Sequence, residues 1–158
     1  ANNVIDNFKE WKPVRFRILG KSLKGYSWWV KTPDGKKKPQ LSFTSPLDTS
    51  EIDWRIADVW AFPILDRSDS KVKVLAIKQV PIQKALKGLH ENADRGSFLK
   101  YDIRIERKWS TQTDTTYTAT PLPPSPITQE EVELVKKYDV DLMLYFSGQN
   151  PVTENDNF

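Results

Sequence analysis

Residues 100–120, KYDIRIERKWSTQTDTTYTAT, constrain the fold more than any other part of the sequence. Tyr101, Ile103 and Ile105 alternate with polar residues, which is the period-two pattern of a strand with one buried face. A polar turn and a threonine-rich second strand follow, and the next residues, PLPPSP, cannot continue a hydrogen-bonded ladder. The segment therefore predicts a β-hairpin near the end of a β-rich domain.

The order of the remaining elements predicts a mainly β fold. Alternating apolar residues indicate strands, and apolar residues at helical spacing after Pro81 indicate one short helix. Five strands with a helix between the third and the fourth are typical of a five-stranded OB-fold-like barrel, an architecture that binds oligonucleotides, although another small β-barrel also fits. The predicted elements are strands over 13–19, 57–65, 72–79, 101–108 and 114–120 and a helix over 82–91.

An inserted arm and a C-terminal extension complete the predicted organisation. A Pro-Asp-Gly turn between two alternating runs predicts a basic β-hairpin arm within an insertion of about residues 20–56. Thr128 and Glu131 form a T-x-x-E capping box, which predicts a C-terminal helix. The first ten residues carry little pattern and are expected to be a loose lead-in, and the last ten are expected to be mobile. The predicted divisions are an OB-fold domain over 1–127, a C-terminal helix over 128–148 and an acidic tail over 149–158.

Charge is segregated along the chain, although the net charge is only +3. Residues 12–38 carry nine basic residues and one acidic residue, whereas residues 128–158 carry two basic and seven acidic residues. This polarity suits a body that binds a polyanion, although ordinary solvated charge gives the same pattern. The chain has no cysteine and no apolar run near the ~20 residues of a membrane span, so we expect no disulfide, no thiolate metal site and no membrane contact. No signal peptide is visible, which favours a cytoplasmic location.

Part of the chain, mainly residues 72–128, resembles the single-stranded-DNA-binding proteins of tailed bacteriophages. The resemblance is carried by an apolar-ended helix, the strand YDIRIERK, a polar turn, the string TTYTATPLPPSPIT and an acidic C-terminal segment. It implies an OB-fold replication factor that coats exposed strands, in the host-cell cytoplasm if the protein is viral. The best-known members carry a zinc-binding Cys/His insertion, so this chain would be a variant without it, and no cofactor is expected. The terminal Phe158 resembles the end of acidic tails that recruit replication proteins, which implies such partners here.

Basic and aromatic residues predict the interface with single-stranded DNA. Binding that is independent of sequence needs a basic groove for phosphates and aromatic faces for bases. Trp60 lies in an apolar strand and is expected to be in the core instead. We expect two walls that flank one groove, with salt-sensitive lysines at the tip of the arm. The first wall comprises Arg15, Arg17, Trp29 and Lys31, the arm tip Lys36, Lys37 and Lys38, and the second wall Arg104, Arg107, Lys108 and Trp109.

The expected function is sequence-independent binding that protects single strands in DNA replication, recombination or repair. An RNA-binding or architectural module would use much the same stacking and charge, and stays open as an alternative. A metal-dependent nuclease is the third class, because Glu106 and Lys108 have the spacing of an E-x-K motif, with Asp102 or Asp34 as a partner carboxylate. Charge alternation on a solvated strand explains the same residues. His90 is expected to be a surface residue near a helix end, so we expect no enzyme.

Overall fold

The computed structural model describes residues 3–50, 52–92, 94, 96–111 and 114–155, and it confirms the prediction of a mainly β protein. A large mixed sheet carries most of the chain, and a two-stranded sheet lies in the C-terminal part. The strands are β1 Val4–Ile5, β2 Val14–Ile18, β3 Leu23–Lys31, β4 Lys37–Ser42, β5 Ile52–Asp66, β6 Lys71–Ile77, β7 Ile103–Thr111, β8 Asp114–Pro121, β9 Tyr138–Val140 and β10 Val152–Glu154. The helices are α1 Val80–Glu91, α2 Gln129–Lys136 and α3 Leu142–Phe146, with a 3-10 turn over Phe98–Lys100.

The large sheet is not closed into a barrel over the described residues. Its strands follow the order β1-β6-β5-β2-β7-β8. Strand β2, which was predicted as the first barrel strand, therefore lies between β5, predicted as the second, and β7, predicted as the fourth. Closure would require β6 to pair with β8, and the described strand pairs do not include that one. The edge of β6 is taken by β1, which runs parallel to it with Val4 opposite Val74. Helix α1 packs against β8 on the other side of the gap.

The N-terminal residues occupy the place where the barrel would close. Phe8 is 1% exposed, and its ring centroid lies 6.4 Å from that of Tyr117 in β8. The Arg107 side chain of β7 donates a hydrogen bond of 3.2 Å to the carbonyl oxygen of Phe8. From Asn3 onwards this segment is therefore part of the fold rather than the loose lead-in expected from its lack of pattern.

The second half of β5 and strand β6 bury both of their faces, which explains why residues 59–65 and 72–77 are apolar apart from Lys73. The inner core lies between the sheet and α1 and includes Phe62 of β5 and Leu86 of α1. The outer core lies on the opposite face and brings Val59 of β5 against Phe146 of α3. Residues 129–155, which we call the C-terminal layer, thus cover the outer face of the sheet. The Phe146 ring lies so close to Gly25 of β3 that a Cβ atom at that position would overlap it.

The predicted C-terminal helix over 128–148 is wrong beyond its first two turns. Its start is confirmed, because the Thr128 hydroxyl accepts from the Glu131 N–H and the Glu131 carboxylate accepts from the Thr128 N–H. Strand β9 follows α2 and pairs with β10, and Asp141 then caps α3 by accepting a hydrogen bond from the Met143 N–H. The expected mobile tail over 149–158 is instead ordered as far as residue 155, with Val152 buried, and residues 156–158, including Phe158, lie outside the described residues.

The predicted arm is confirmed and is wider than expected. Strands β3 and β4 form the hairpin, and the first half of β5 adds a third antiparallel strand on the other edge of β3. The second strand therefore begins at Ile52 rather than at residue 57. None of the helices in the described part of the chain is long and apolar enough to cross a membrane.

Candidate nucleic-acid interface

Strand β3 presents aromatic side chains on both of its faces. Its inner face carries Lys24, Tyr26 and Trp28, because Lys24 is the register partner of Trp60, which packs against the inner core. Its outer face carries Gly25 and Trp29. The Trp29 side chain is 46% exposed, whereas Tyr26 and Trp28 are half-buried. The expectation that Trp29 is an exposed aromatic residue of the arm is therefore confirmed.

The tip of the arm is a tight turn that holds three consecutive lysines in solvent. The Thr32 N–H donates to the Lys36 carbonyl oxygen at 2.8 Å, and Gly35 has the positive φ of 83° that this turn needs. The Asp34 carboxylate accepts from the Thr32 hydroxyl and from the Lys36 N–H, and these bonds lower its pKa. Both of its contacts are within the turn. The exposed basic residues of the arm are Lys31, Lys36, Lys37 and Lys38.

A groove of about 840 Å³ opens at the base of the arm. The segment from Gly20 to Lys24 and the Trp60 ring form one wall, and the end of α1 with residues 96–99 forms the other. The Lys24 ammonium lies 4.8 Å from the centroid of the Trp60 ring, which is cation–π geometry. Further basic and aromatic side chains that line the groove are Lys21, Lys87, His90 and Phe98.

Arg17 does not belong to the interface, which corrects the sequence prediction. The residue is 0% exposed, and its Nε atom donates to Asp102 at 2.8 Å. Its other nitrogens donate to the carbonyl oxygens of Leu99 at 3.1 Å and Ser125 at 2.9 Å. A buried guanidinium whose donors have all of these partners cannot bind a phosphate. Arg17 therefore stabilises the fold.

Asp102 receives three arginines, and this arginine cluster also involves a second predicted interface residue. Arg15 and Arg67 donate to the Asp102 carboxylate at 2.9 and 3.1 Å, and Arg67 also pairs with Glu131 of the C-terminal layer. Burial alone would raise the pKa of Asp102, but the hydrogen bonds from Arg67, Arg15 and Arg17 together lower it below its usual value. The side chain of Arg15 is 55% exposed, so it can still contact an anion at its edge.

The second predicted wall lies at the other end of the sheet from the arm. Strand β7 pairs with β2 so that Ile105 is opposite Val14, and the tip of β7 therefore extends past the start of β2. The arm begins beyond the end of β2. Trp29 and Trp109 thus do not flank one groove, although Trp109 is 53% exposed.

The basic residues of the second wall have different surroundings. Arg104 pairs with Glu106 at 2.8 Å, and Arg107 is held by the Phe8 carbonyl oxygen. Lys108 is exposed beside Trp109. This end of the sheet is therefore a smaller basic and aromatic patch, in which the two arginines have partners within the protein.

The sequence prediction missed the groove. Trp60 packs against the inner core as expected, but it is only half-buried and forms part of the groove wall. Lys24 faces it because of the β3–β5 register, which no local pattern reveals. Lys87 and His90 are three residues apart on α1, and this spacing places them on one helix face. That spacing was the feature of the sequence that could have indicated this wall of the groove.

The carboxylates of the nuclease alternative do not converge. Both oxygens of Asp102 accept hydrogen bonds from arginines, and Glu106 pairs with Arg104. Across the part of the chain that the structure describes, no group of three or more acidic or histidine side chains is arranged to hold a metal ion. This geometry gives the E-x-K spacing no support.

Neither protein-family models, nor curated proteins, nor solved structures match this chain. The features that bear on function are therefore physical ones: the arm with its exposed lysines, the aromatic residues of β3, and the groove at the base of the arm.

Proposed function

We propose that this protein binds single-stranded DNA independently of sequence and protects exposed strands during replication, recombination or repair. One observation carries the proposal. Aromatic and basic side chains follow each other along the inner face of β3 and β4, from Lys24 beside Trp60, through Tyr26 and Trp28, to Lys38. The outer face of the arm adds the exposed ring of Trp29. Stacking faces next to phosphate-binding charges are what such binding requires.

The chemistry of the basic residues favours binding without sequence readout. The exposed cations of the arm tip and of the groove rim are lysines, which act as point charges toward phosphate. The bidentate arginine pairs that distinguish bases depend on a guanidinium, and the hairpin of β3 and β4 carries none, although Arg55 of β5 is an exposed arginine beside it. Affinity should then come from counterion release and stacking, both of which tolerate any base.

The spacing of the aromatic residues favours a single strand over a duplex. Tyr26 and Trp28 are two residues apart on one face of β3, so their Cα atoms are separated by about 6.8 Å. Bases in a duplex strand rise by only about 3.4 Å per nucleotide. Neighbouring bases can meet successive aromatic rings only when the strand is extended and unstacked.

The fold is consistent with the proposal as an open relative of the OB-fold barrel. The strands predicted as first to fifth lie in the neighbour order β6-β5-β2-β7-β8, and α1 lies between the third and fourth in sequence. We propose that the N-terminal segment replaces the closing strand pair of a true barrel. We propose that the protein is a replication factor of the bacteriophage type. It would act in the cytoplasm, which is that of the host cell if the protein is viral.

A titration of the intrinsic tryptophan fluorescence tests the proposal. Oligo-dT should quench the emission, and its affinity should fall steeply as salt rises. Duplex DNA of the same length should bind more weakly. Duplex binding that equals or exceeds oligo-dT binding would overturn the proposal, and tighter binding of oligo-U would favour the RNA-binding alternative.

We further propose that the acidic C-terminal layer contacts replication proteins. It carries Glu130, Glu133 and Asp139 as exposed acids, and it covers the face of the sheet opposite the inner face of β3. It can therefore bind a partner while a strand occupies the inner face of the arm. A pull-down with the full chain and with a Glu130→Gln, Glu133→Gln variant tests this, and equal capture by both would contradict it.

A further inference from the structure

The groove at the base of the arm is a concave cleft with one side open to solvent, in contrast to the flat faces of the arm. Its volume of about 840 Å³ lies within the range of roughly 300–1,000 Å³ that is usual for small-molecule sites. Ile18, Phe62 and Leu86 of the inner core line it and give it an apolar floor. Such a shape suits one compact ligand rather than a continuous strand.

The walls of the groove offer two aromatic surfaces. Trp60 contributes one of them, on the side of β3 and β5. Phe98 contributes the other together with His90, whose ring centroid lies 5.4 Å away with the planes inclined by 32°. A flat heteroaromatic ring can stack on such surfaces, and the apolar floor removes it from water.

The rim of the groove is basic. Lys21, Lys24 and Lys87 line it. Among the lining side chains that the structure describes, Glu91 is acidic, and its carboxylate is 4.0 Å from the Lys87 ammonium. The Lys24 ammonium rests on the Trp60 ring, where its charge is only weakly compensated. An anionic ligand group would be a better partner for Lys24 than the ring.

We propose that this groove is a nucleotide subsite, which takes one unstacked nucleotide with its base against Trp60 and its phosphate at Lys21 and Lys24. In this account Lys24 leaves the ring when the base arrives and moves to the phosphate. The inference rests on the proposed function, since the nucleotide belongs to the bound strand. It goes further in one respect: a free mononucleotide should occupy the same groove.

The test is an NMR titration that follows the indole N–H of Trp60 in the full chain. Thymidine monophosphate should shift this signal in a saturable manner, and thymidine, which lacks the phosphate, should bind more weakly. Lys24→Met should weaken monophosphate binding by roughly tenfold, because a hydrogen bond to a charged group is lost. Lys136→Met is the matched control, since Lys136 is an exposed lysine of the C-terminal layer and does not line the groove.

The outcomes separate the two proposals. Absence of a saturable shift at Trp60, or an equal loss of affinity in Lys24→Met and Lys136→Met, would overturn the nucleotide subsite. If oligo-dT still binds in that case, the proposed function stands. If thymidine monophosphate binds at Trp60 and oligo-dT does not bind better, the subsite stands and the proposed strand binding fails.

Discussion

The arginines of β2 and the lysines of the arm come from neighbouring parts of one basic region, but their surroundings differ. Arg17 is fully buried and donates to a carboxylate and to two carbonyl oxygens. Lys36 and Lys38 are exposed at the tip of a hairpin. In the sequence, the arginines alternate with apolar residues and the lysines follow a turn. Both sets were therefore predicted to contact phosphates.

The chemistry of the two side chains explains the difference. A guanidinium presents several donors in a fixed plane, so it can satisfy many acceptors inside a protein, whereas an ammonium is strongly hydrated and stays at the surface. Asp102 supplies the charge that makes burial of Arg17 tolerable, and Arg67 connects this arginine cluster to Glu131 of the C-terminal layer. The arginine cluster is therefore a structural link between the two layers, and the arm is the part available for a ligand.

The largest effect is expected from Asp102→Asn. The side chains of Asp102 and Arg17 are each 1% exposed, so this change leaves a buried arginine without its counter-charge. Breaking a buried pair in this way costs about 3–5 kcal/mol. Urea unfolding should show the loss as a lower midpoint.

Glu106→Gln is the matched control for that experiment. Like Asp102, Glu106 pairs with an arginine, in this case Arg104 of β7. The side chain of Arg104 is 43% exposed and that of Glu106 is 25% exposed. Partly exposed pairs contribute roughly 0–1 kcal/mol, so the free energy of unfolding should change little. If both variants lose the same free energy of unfolding, burial of the arginine cluster does not make its ion pairs more stabilising than the exposed pair.

Most strands and helices were predictable from the sequence, whereas the way they pair and pack in the fold was not. Local alternation and turn chemistry identified the arm and the terminal hairpin. The helix predicted over 128–148 failed because pairing of β9 with β10 is a tertiary contact that overrides helical periodicity. The N-terminal strand was missed because two residues, Val4 and Ile5, are too short for a pattern.

The candidate site was predictable only in its chemistry. Exposure of Trp29 and the lysines followed from alternation. Burial of Arg17 depends on Asp102, which is 85 residues away in sequence and comes beside β2 only through strand pairing. The groove likewise depends on the β3–β5 register, and residue type alone cannot supply it.

Acid should weaken the arginine cluster. The pKa of Asp102 in the folded protein is below its ordinary value of 3.8, so the unfolded chain binds a proton more readily. Its contribution to the free energy of unfolding is thus fully present above about pH 4 and is lost as pH falls through the lowered pKa. Urea unfolding between pH 2 and 7 should show this decline, with a smaller slope in Asp102→Asn. An unchanged slope in the variant would contradict the assignment to Asp102.

Trp29→Ala should weaken oligo-dT binding without a comparable loss of stability. The side chain is 46% exposed, and stacking of a base on an aromatic ring is worth roughly 1–3 kcal/mol. Trp109→Ala is the comparison at the other end of the sheet. An effect on binding there that equals the effect at Trp29 would mean that the strand also contacts the second patch, while no effect at Trp29 would remove the outer face of the arm from the interface.

The smallest effect is expected from replacing Lys36, Lys37 and Lys38 with glutamine. In the proposed function these exposed lysines contribute to affinity through counterion release, so the slope of log affinity against log salt should fall by up to about 2 for three lost charges on a single strand. The stability should stay close to that of the parent, because the turn is held by Thr32 and Gly35.

The control variant replaces Lys136 and Lys137, two exposed lysines of the C-terminal layer, with glutamine. It removes nearly the same charge from the opposite side of the sheet. If it lowers the salt slope as much as the arm variant, the effect is one of net charge. A lower slope in the arm variant alone would place the phosphates at the arm tip, and it would show that the basic region divides into an arginine part that holds the fold and a lysine part that binds.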